Sequence, residues 1–217
     1  MDKLTILYED NDILVVDKPA GIATQSAKVG EADLETELKK YRKQKGEVPE
    51  IYVIHRLDQP VAGILVFAKT KETAAALTAQ LTKEAFSKTY EAVVLKPADF
   101  AEQGKLTDHL VKEKKGNTSR VAASPKEAGA KEARLSYETM AQDERTATLR
   151  VHLETGRHHQ IRLQLSNAGM PILGDQKYGS PESIAFSKEQ GIRFVSLRAA
   201  ELSFIHPKTG EKMVFKL

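Results

Sequence analysis

The 217-residue chain contains no cysteine and no tryptophan, and aromatic residues make up only 6% of it. Without cysteine there is no disulfide, no thiolate nucleophile, no cysteine-ligated zinc and no iron–sulfur cluster. Enzymes that methylate C5 of a pyrimidine by thiolate attack on the base are excluded with them. Long apolar runs are also missing. The longest, residues 63–68, is far too short to span a bilayer, and Met1-Asp2-Lys3 runs directly into a strand-like segment. No membrane association is expected, and a cytoplasmic location is. Neither a Walker A lysine loop nor a GxGxxG is present, so no nucleotide cofactor is expected.

What is present reads as an ordinary globular protein, 41% hydrophobic and 29% charged. The length suits one domain, and no stretch resembles a linker long enough to separate two. The net charge of +3 hides an asymmetry: residues 1–104 hold 14 Lys+Arg against 17 Asp+Glu, and residues 105–217 hold 19 against 13. The second half is thus basic by six charges. Lys112, Lys114, Lys115, Arg120, Lys126, Lys131 and Arg134 form its densest group. Such a group serves either as a phosphate-facing stripe or as a solvated lysine-rich surface.

Hydrophobic periodicity predicts an α+β chain in which strands dominate. Residues 5–9 and 13–17 read as a hairpin across Asp10-Asn11-Asp12. Asp33 is placed to cap a helix with Leu34, Leu38 and Tyr41 on its apolar face, ending at Gly46. A strand over 51–54 leads to Asp58, a second strand covers 63–69, Thr70 caps a helix over 71–85, and a strand follows over 88–95. Strands are expected over 134–141, 146–153, 194–205 and 212–217. Thr155 is expected to start a helix over 157–167.

Two segments concentrate chemistry. In HRLDQPVAGILVFAK, residues 55–69, one carboxylate stands at the mouth of a continuous apolar strand, with His55 and Arg56 beside it. An aspartate before a proline is also what an ordinary turn uses to bond its own backbone, and Asp58 alone favours that reading. In TGRHHQIR, residues 155–162, cations gather at a predicted helix start. Arg157 there opposes the helix dipole, which suggests an anionic partner. Arg162 lies between apolar residues and should be paired. His158 and His159 are adjacent rather than four apart, with no carboxylate at zinc-site spacing, so no metal is expected.

Together these segments resemble the paired signatures of the RluA-type pseudouridine synthases, which isomerise uridine in structured RNA. ILYEDNDILVVDKPAG, KTYEAVV, PILGDQKYG and LSFIHPKTG follow in the family's order, so the likeness covers nearly the whole chain. It implies a long, bent, mixed but largely antiparallel sheet flanked by helices, with a central active cleft. Residues 1–217 would form a single catalytic domain without the small S4-like domain that precedes it in some relatives. By this resemblance Asp58 matches the catalytic aspartate, Tyr90 the active-site tyrosine and Arg162 the arginine that pairs with the aspartate. On its residues alone, Tyr90 reads as an alternate-face strand aromatic.

His55, Arg56, Arg157, His159 and Gln160 fall inside the motifs and are assigned to RNA contact and site support. Lys115 and Arg120 are assigned to RNA through the basic second half. The implied partner is ribosomal or transfer RNA, with no cofactor and a monomeric state. Val61-Ala62 stands where hydroxyl residues are common in the family, and Arg198 where a histidine is frequent. Both departures bear on substrate preference. A non-catalytic RNA-binding protein on the same scaffold is the alternative. A glycosidase is disfavoured because no second carboxylate lies in either motif.

Overall fold

The computed structural model describes residues 4–26, 31–81, 83 and 85–217. In chain order the elements are β1 (Thr5–Glu9), β2 (Ile13–Lys18), α1 (Leu34–Gln44), β3 (Tyr52–Val53), β4 (Ala62–Ala68), α2 (Lys71–Gln80), β5 (Ser87–Leu95), β6 (Gln103–Lys112), β7 (Ser119–Val121), β8 (Lys131–Gln142), β9 (Thr146–Leu153), α3 (Gln160–Asn167), α4 (Pro181–Glu189), β10 (Leu197–Ile205) and β11 (Lys212–Lys216). They group into two compact units, Met1–Lys88 with Ala199–Leu217, and Thr89–Arg198.

In the first unit the β1–β2 hairpin forms as its turn residues dictate. Asp10 Oδ1 accepts the Asp12 and Ile13 N–H groups at 2.8 Å each, so the side chain replaces a backbone turn bond. β2 lies antiparallel to β4, in register from Ile13 against Ala68 to Lys18 against Gly63. Both strands are apolar along nearly their whole length because both faces are covered. Their side chains join Leu77, Phe86, Leu202 and Phe204 in one core. Gly63 has φ +123°, and a Cβ there would lie 2.4 Å from the Ala199 carbonyl oxygen. Only glycine allows that approach to β10.

The helix caps expected at Asp33 and Thr70 are present. Asp33 accepts the Thr36 N–H at 2.7 Å and Thr70 the Thr73 N–H at 3.2 Å. α2, however, ends at Gln80 rather than at 85. Successive turns, Lys83 N–H to Gln80 O at 2.8 Å and Phe86 N–H to Lys83 O at 3.1 Å, deliver Phe86 to the core instead. Thr82 and Glu84, within that expected helix, lie outside the described residues.

The second unit is built on antiparallel strands in the order β5-β9-β8-β6-β7. Three of its elements escape the sequence reading. β6 and β7 are polar and half-exposed, so their apolar alternation is faint. α4 carries an overlooked signal, Ser180 capping the Ser183 N–H at 3.1 Å with Pro181 in the first turn. α3 begins at Gln160, three residues later than expected, after His159 turns through a left-handed conformation at φ 55°.

Candidate active site

Asp58 stands in the first unit on a turn closed by the Val61 N–H, which donates to the Asp58 carbonyl at 3.0 Å. The turn reading and the functional reading of Asp58 are therefore compatible, because the backbone makes the turn and the side chain remains partly exposed. Both flanks are clasped by the loop that follows β2. Thr24 Oγ1 donates to the Leu57 carbonyl at 3.0 Å and accepts the Leu57 N–H at 3.2 Å. Beyond Asp58, the Gln59 carbonyl accepts the Gly21 N–H at 2.8 Å, and Gln59 Nε2 donates to the Gly21 carbonyl at 3.1 Å. Gly21 meets this geometry at φ 92°, a backbone conformation suited to glycine.

The neighbours of Asp58 diverge. Arg56 is exposed, as an RNA contact requires. His55 is buried, accepts the Val66 N–H at 3.4 Å and packs edge-on against Phe86 with ring centroids 5.2 Å apart. Burial, with Lys88 nearby, holds its imidazole well below the usual range, and hence neutral. The RNA-contact half of the expectation for His55 is therefore corrected, since its ring is enclosed in the core. Val61, one of the family departures, is buried as well.

In the second unit, Tyr90 lies on β5 opposite Val151 of β9, with only 6% of its surface exposed. Arg162 is buried on α3, and Asp175 grips it with two parallel hydrogen bonds, Nε to Oδ2 at 2.7 Å and Nη2 to Oδ1 at 2.8 Å. Burial works against the ionised Asp175 carboxyl, but these donors and the Lys177 and Tyr178 N–H groups outweigh it and hold it below its usual range. The guanidinium also lies over the Tyr178 ring, 5.1 Å from its centroid. The tyrosine hydroxyl meets His159 Nδ1 at 2.7 Å and accepts the Ser119 N–H at 2.8 Å. His158 stacks on His159 at 3.7 Å and reaches Ser119 Oγ at 2.8 Å and Asn117 Oδ1 at 3.0 Å. One connected polar network thus ties the arginine-bearing helix to the β6–β7 connection.

Several expected RNA contacts have internal partners instead. Gln160 is buried. Its Oε1 accepts from Thr155 Oγ1 at 2.8 Å and the Arg157 N–H at 2.9 Å, and its Nε2 donates to the Arg134 carbonyl at 3.0 Å. Thr155 therefore braces Gln160 rather than starting the helix. Arg157 precedes the helix and donates through Nε to the Glu132 carbonyl at 2.7 Å, so the helix-dipole argument for an anionic partner does not apply to it. His159 is buried between His158 and Tyr178, so its ring is enclosed rather than presented at the surface. Arg120 pairs with Glu113 at 2.8 Å and with Glu127. Lys115 is exposed in the β6–β7 connection.

Among the described residues, Asp10, Asp12 and His206 bring potential metal ligands within 4.8 Å of one another. Hydrogen bonds account for their arrangement. His206 Nδ1 accepts the Lys208 and Thr209 N–H groups at 3.3 and 3.2 Å, which leaves Nε2 to donate to Asp10 Oδ2 at 2.9 Å. Asp12 Oδ1 accepts from Thr73 Oγ1 at 3.2 Å. The group is a staple joining both termini of the first unit to α2.

Sequence reasoning passed over Lys18, Asp175 and Tyr178. All three lie in segments that carry the family likeness, DKPAG and GDQKYG, but no local pattern shows what they touch.

A family model described as RNA pseudouridylate synthase matches residues 12–167. The chain is 34% identical over 220 residues to ribosomal large subunit pseudouridine synthase D of Pseudomonas aeruginosa, covering 97% of this chain and 67% of that protein. It is 30% identical over 226 residues to tRNA pseudouridine synthase C of Vibrio parahaemolyticus, covering 99% and 89%. The solved structure of human RNA pseudouridylate synthase domain containing 1 matches with a TM-score of 0.80 at 20% identity, over 100% of this chain and 83% of that one. That likeness shows the fold.

Proposed function

This chain belongs to the RNA pseudouridylate synthase family, and on that premise we propose that Asp58, Tyr90 and Arg162 carry the isomerisation of uridine to pseudouridine in RNA. The activity itself comes with the family and its named members, so the chain is an enzyme and not a binding module on the same scaffold. The observation that carries the residue assignment is the span of the family match, residues 12–167, which contains all three.

The reaction breaks the bond from ribose C1′ to N1 of uracil and forms one from C1′ to C5, while C5 gives up its proton and N1 gains one. Asp58 engages the sugar, either by attack at C1′ or by removal of a C2′ proton, both within reach of an ionised carboxylate. A turn braced on both sides suits that task, because the carboxylate must meet one sugar atom. Tyr90 stacks on the extruded uracil while the base rotates. Arg162 supplies a fixed guanidinium to the site. Water and escape of the free base have to be prevented throughout.

The substrate in this reading is ribosomal or transfer RNA, as the names of the relatives suggest. Arg56 and Lys115 contact it. The working form is a cytoplasmic monomer whose residues 1–217 act as one catalytic domain without a nucleotide cofactor. Among the described residues no helix is long and apolar enough to cross a membrane.

The test is tritium release from RNA labelled at uracil C5. The wild type releases tritium, and Asp58→Asn binds the same RNA without releasing it. Release by Asp58→Asn at the wild-type rate would overturn the assignment.

A further inference from the structure

Lys18 ends β2 with its side chain turned inward and no part of it exposed. Its nitrogen donates to three backbone carbonyls, Pro19 at 3.0 Å, Ile22 at 2.8 Å and Gln59 at 3.3 Å. A neutral amine has only two N–H groups, so the full set of acceptors suits the protonated form. All three partners are uncharged. Asp58 and Asp17, the anions that act on the ammonium, do so through space, and burial pulls its pKa down to about 8 against them. A buried charge without a contacting counter-ion costs several kcal/mol, and an apolar side chain of similar volume would avoid that cost.

The ammonium is built into the support of Asp58. Its acceptor Gln59 is the residue directly after Asp58, and the same carbonyl takes the Gly21 N–H. On the other flank Thr24 clasps Leu57 through both backbone groups. We propose that Lys18 is a positioning residue for uridine isomerisation: its buried positive charge, bonded to the carbonyl beside Asp58, holds that turn in place and offsets the carboxylate's charge once bound RNA displaces water. The proposal rests on the reading of Asp58 as catalytic.

The absence of native cysteine makes a clean test possible. Lys18→Cys carries a single thiol, which is alkylated in denaturant with 2-bromoethylamine, restoring an ammonium at lysine's length, or with 1-bromopropane, giving the same shape without charge. After refolding, the S-propyl form should bind labelled RNA with KM unchanged while kcat falls on the order of 10- to 100-fold, the range a slight misplacement of reacting groups produces. The aminoethyl form should recover most of that loss. Equal kcat for the two folded forms would overturn the proposal. If neither refolds, Lys18→Arg, which keeps the charge, and Lys18→Met, which removes it, are compared without alkylation; equal kcat in the two would overturn it. Asp58→Asn is assayed alongside. Activity retained there sinks the underlying reading, whereas an inactive Asp58→Asn beside a fully active S-propyl form sinks only the role of Lys18.

Discussion

Asp175 holds Arg162 by both prongs of its guanidinium edge, at 2.7 and 2.8 Å, with the two residues only 2% and 4% exposed. Removing either partner leaves a buried charge without its counterpart. Asp175→Ala should therefore lower the stability of the protein by about 3–5 kcal/mol, read from urea unfolding. Arg162→Lys places a point ammonium where a fork is held. Turnover should fall on the order of 100-fold, as for a misplaced catalytic group. Equal turnover by Arg162→Lys and the wild type would remove Arg162 from the site.

Glu9 anchors another network, in the first unit, with Lys69 at 2.6 Å, Lys45 at 3.0 Å and the Tyr41 hydroxyl at 2.8 Å. Burial pushes its carboxyl up, but these donors outweigh burial and bring it down to about 2. A carboxyl depressed in the folded state contributes stability that is complete above its unfolded value and is lost as pH falls through the folded one. Glu9→Gln should cost about 2 kcal/mol at pH 7. The gap to the wild type should close between roughly pH 4.5 and pH 2, as followed by thermal melts across that range.

Gly63→Ala tests the contact of β4 with β10. The new Cβ would meet the Ala199 backbone at 2.4 Å in a conformation, φ +123°, that other residues rarely adopt. The strain alone should cost about 3 kcal/mol, with the overlap adding to it. A melting temperature within a degree of the wild type would contradict that geometry.

The cations of the basic second half differ in their surroundings. Arg120 and Arg134 are each bridged to two glutamates, whereas Lys114 and Lys115 are exposed in the β6–β7 connection. Replacing both lysines by glutamine should weaken RNA binding and reduce the slope of log affinity against log salt by about 2. Arg120→Gln should change the slope little. Fluorescence anisotropy with labelled RNA over a salt series reads both, and an unchanged slope in the double variant would remove the lysines from the interface.

The chain itself determined those features whose causes are local. The turn at Asp10 and the caps at Asp33 and Thr70 form from side chains bonding backbone two or three residues away, and the apolar runs of β2 and β4 announce burial on both faces. The order of short motifs was enough to expose the family, because each motif is contiguous. What local pattern could not show was where a polar side chain ends up. Arg162 meets Asp175 13 residues away, Lys18 reaches Gln59 across 41, and Tyr178 meets Ser119 across 59. The same limit applies to His55, His159 and Gln160, whose side chains are buried rather than at the surface, and to the start of α3 at Gln160, where the side chain folds back on Thr155 and Arg157. A cation or amide has no periodic signature. Whether it faces RNA or a buried carboxylate is decided only when distant segments fold together and desolvation makes an internal partner necessary.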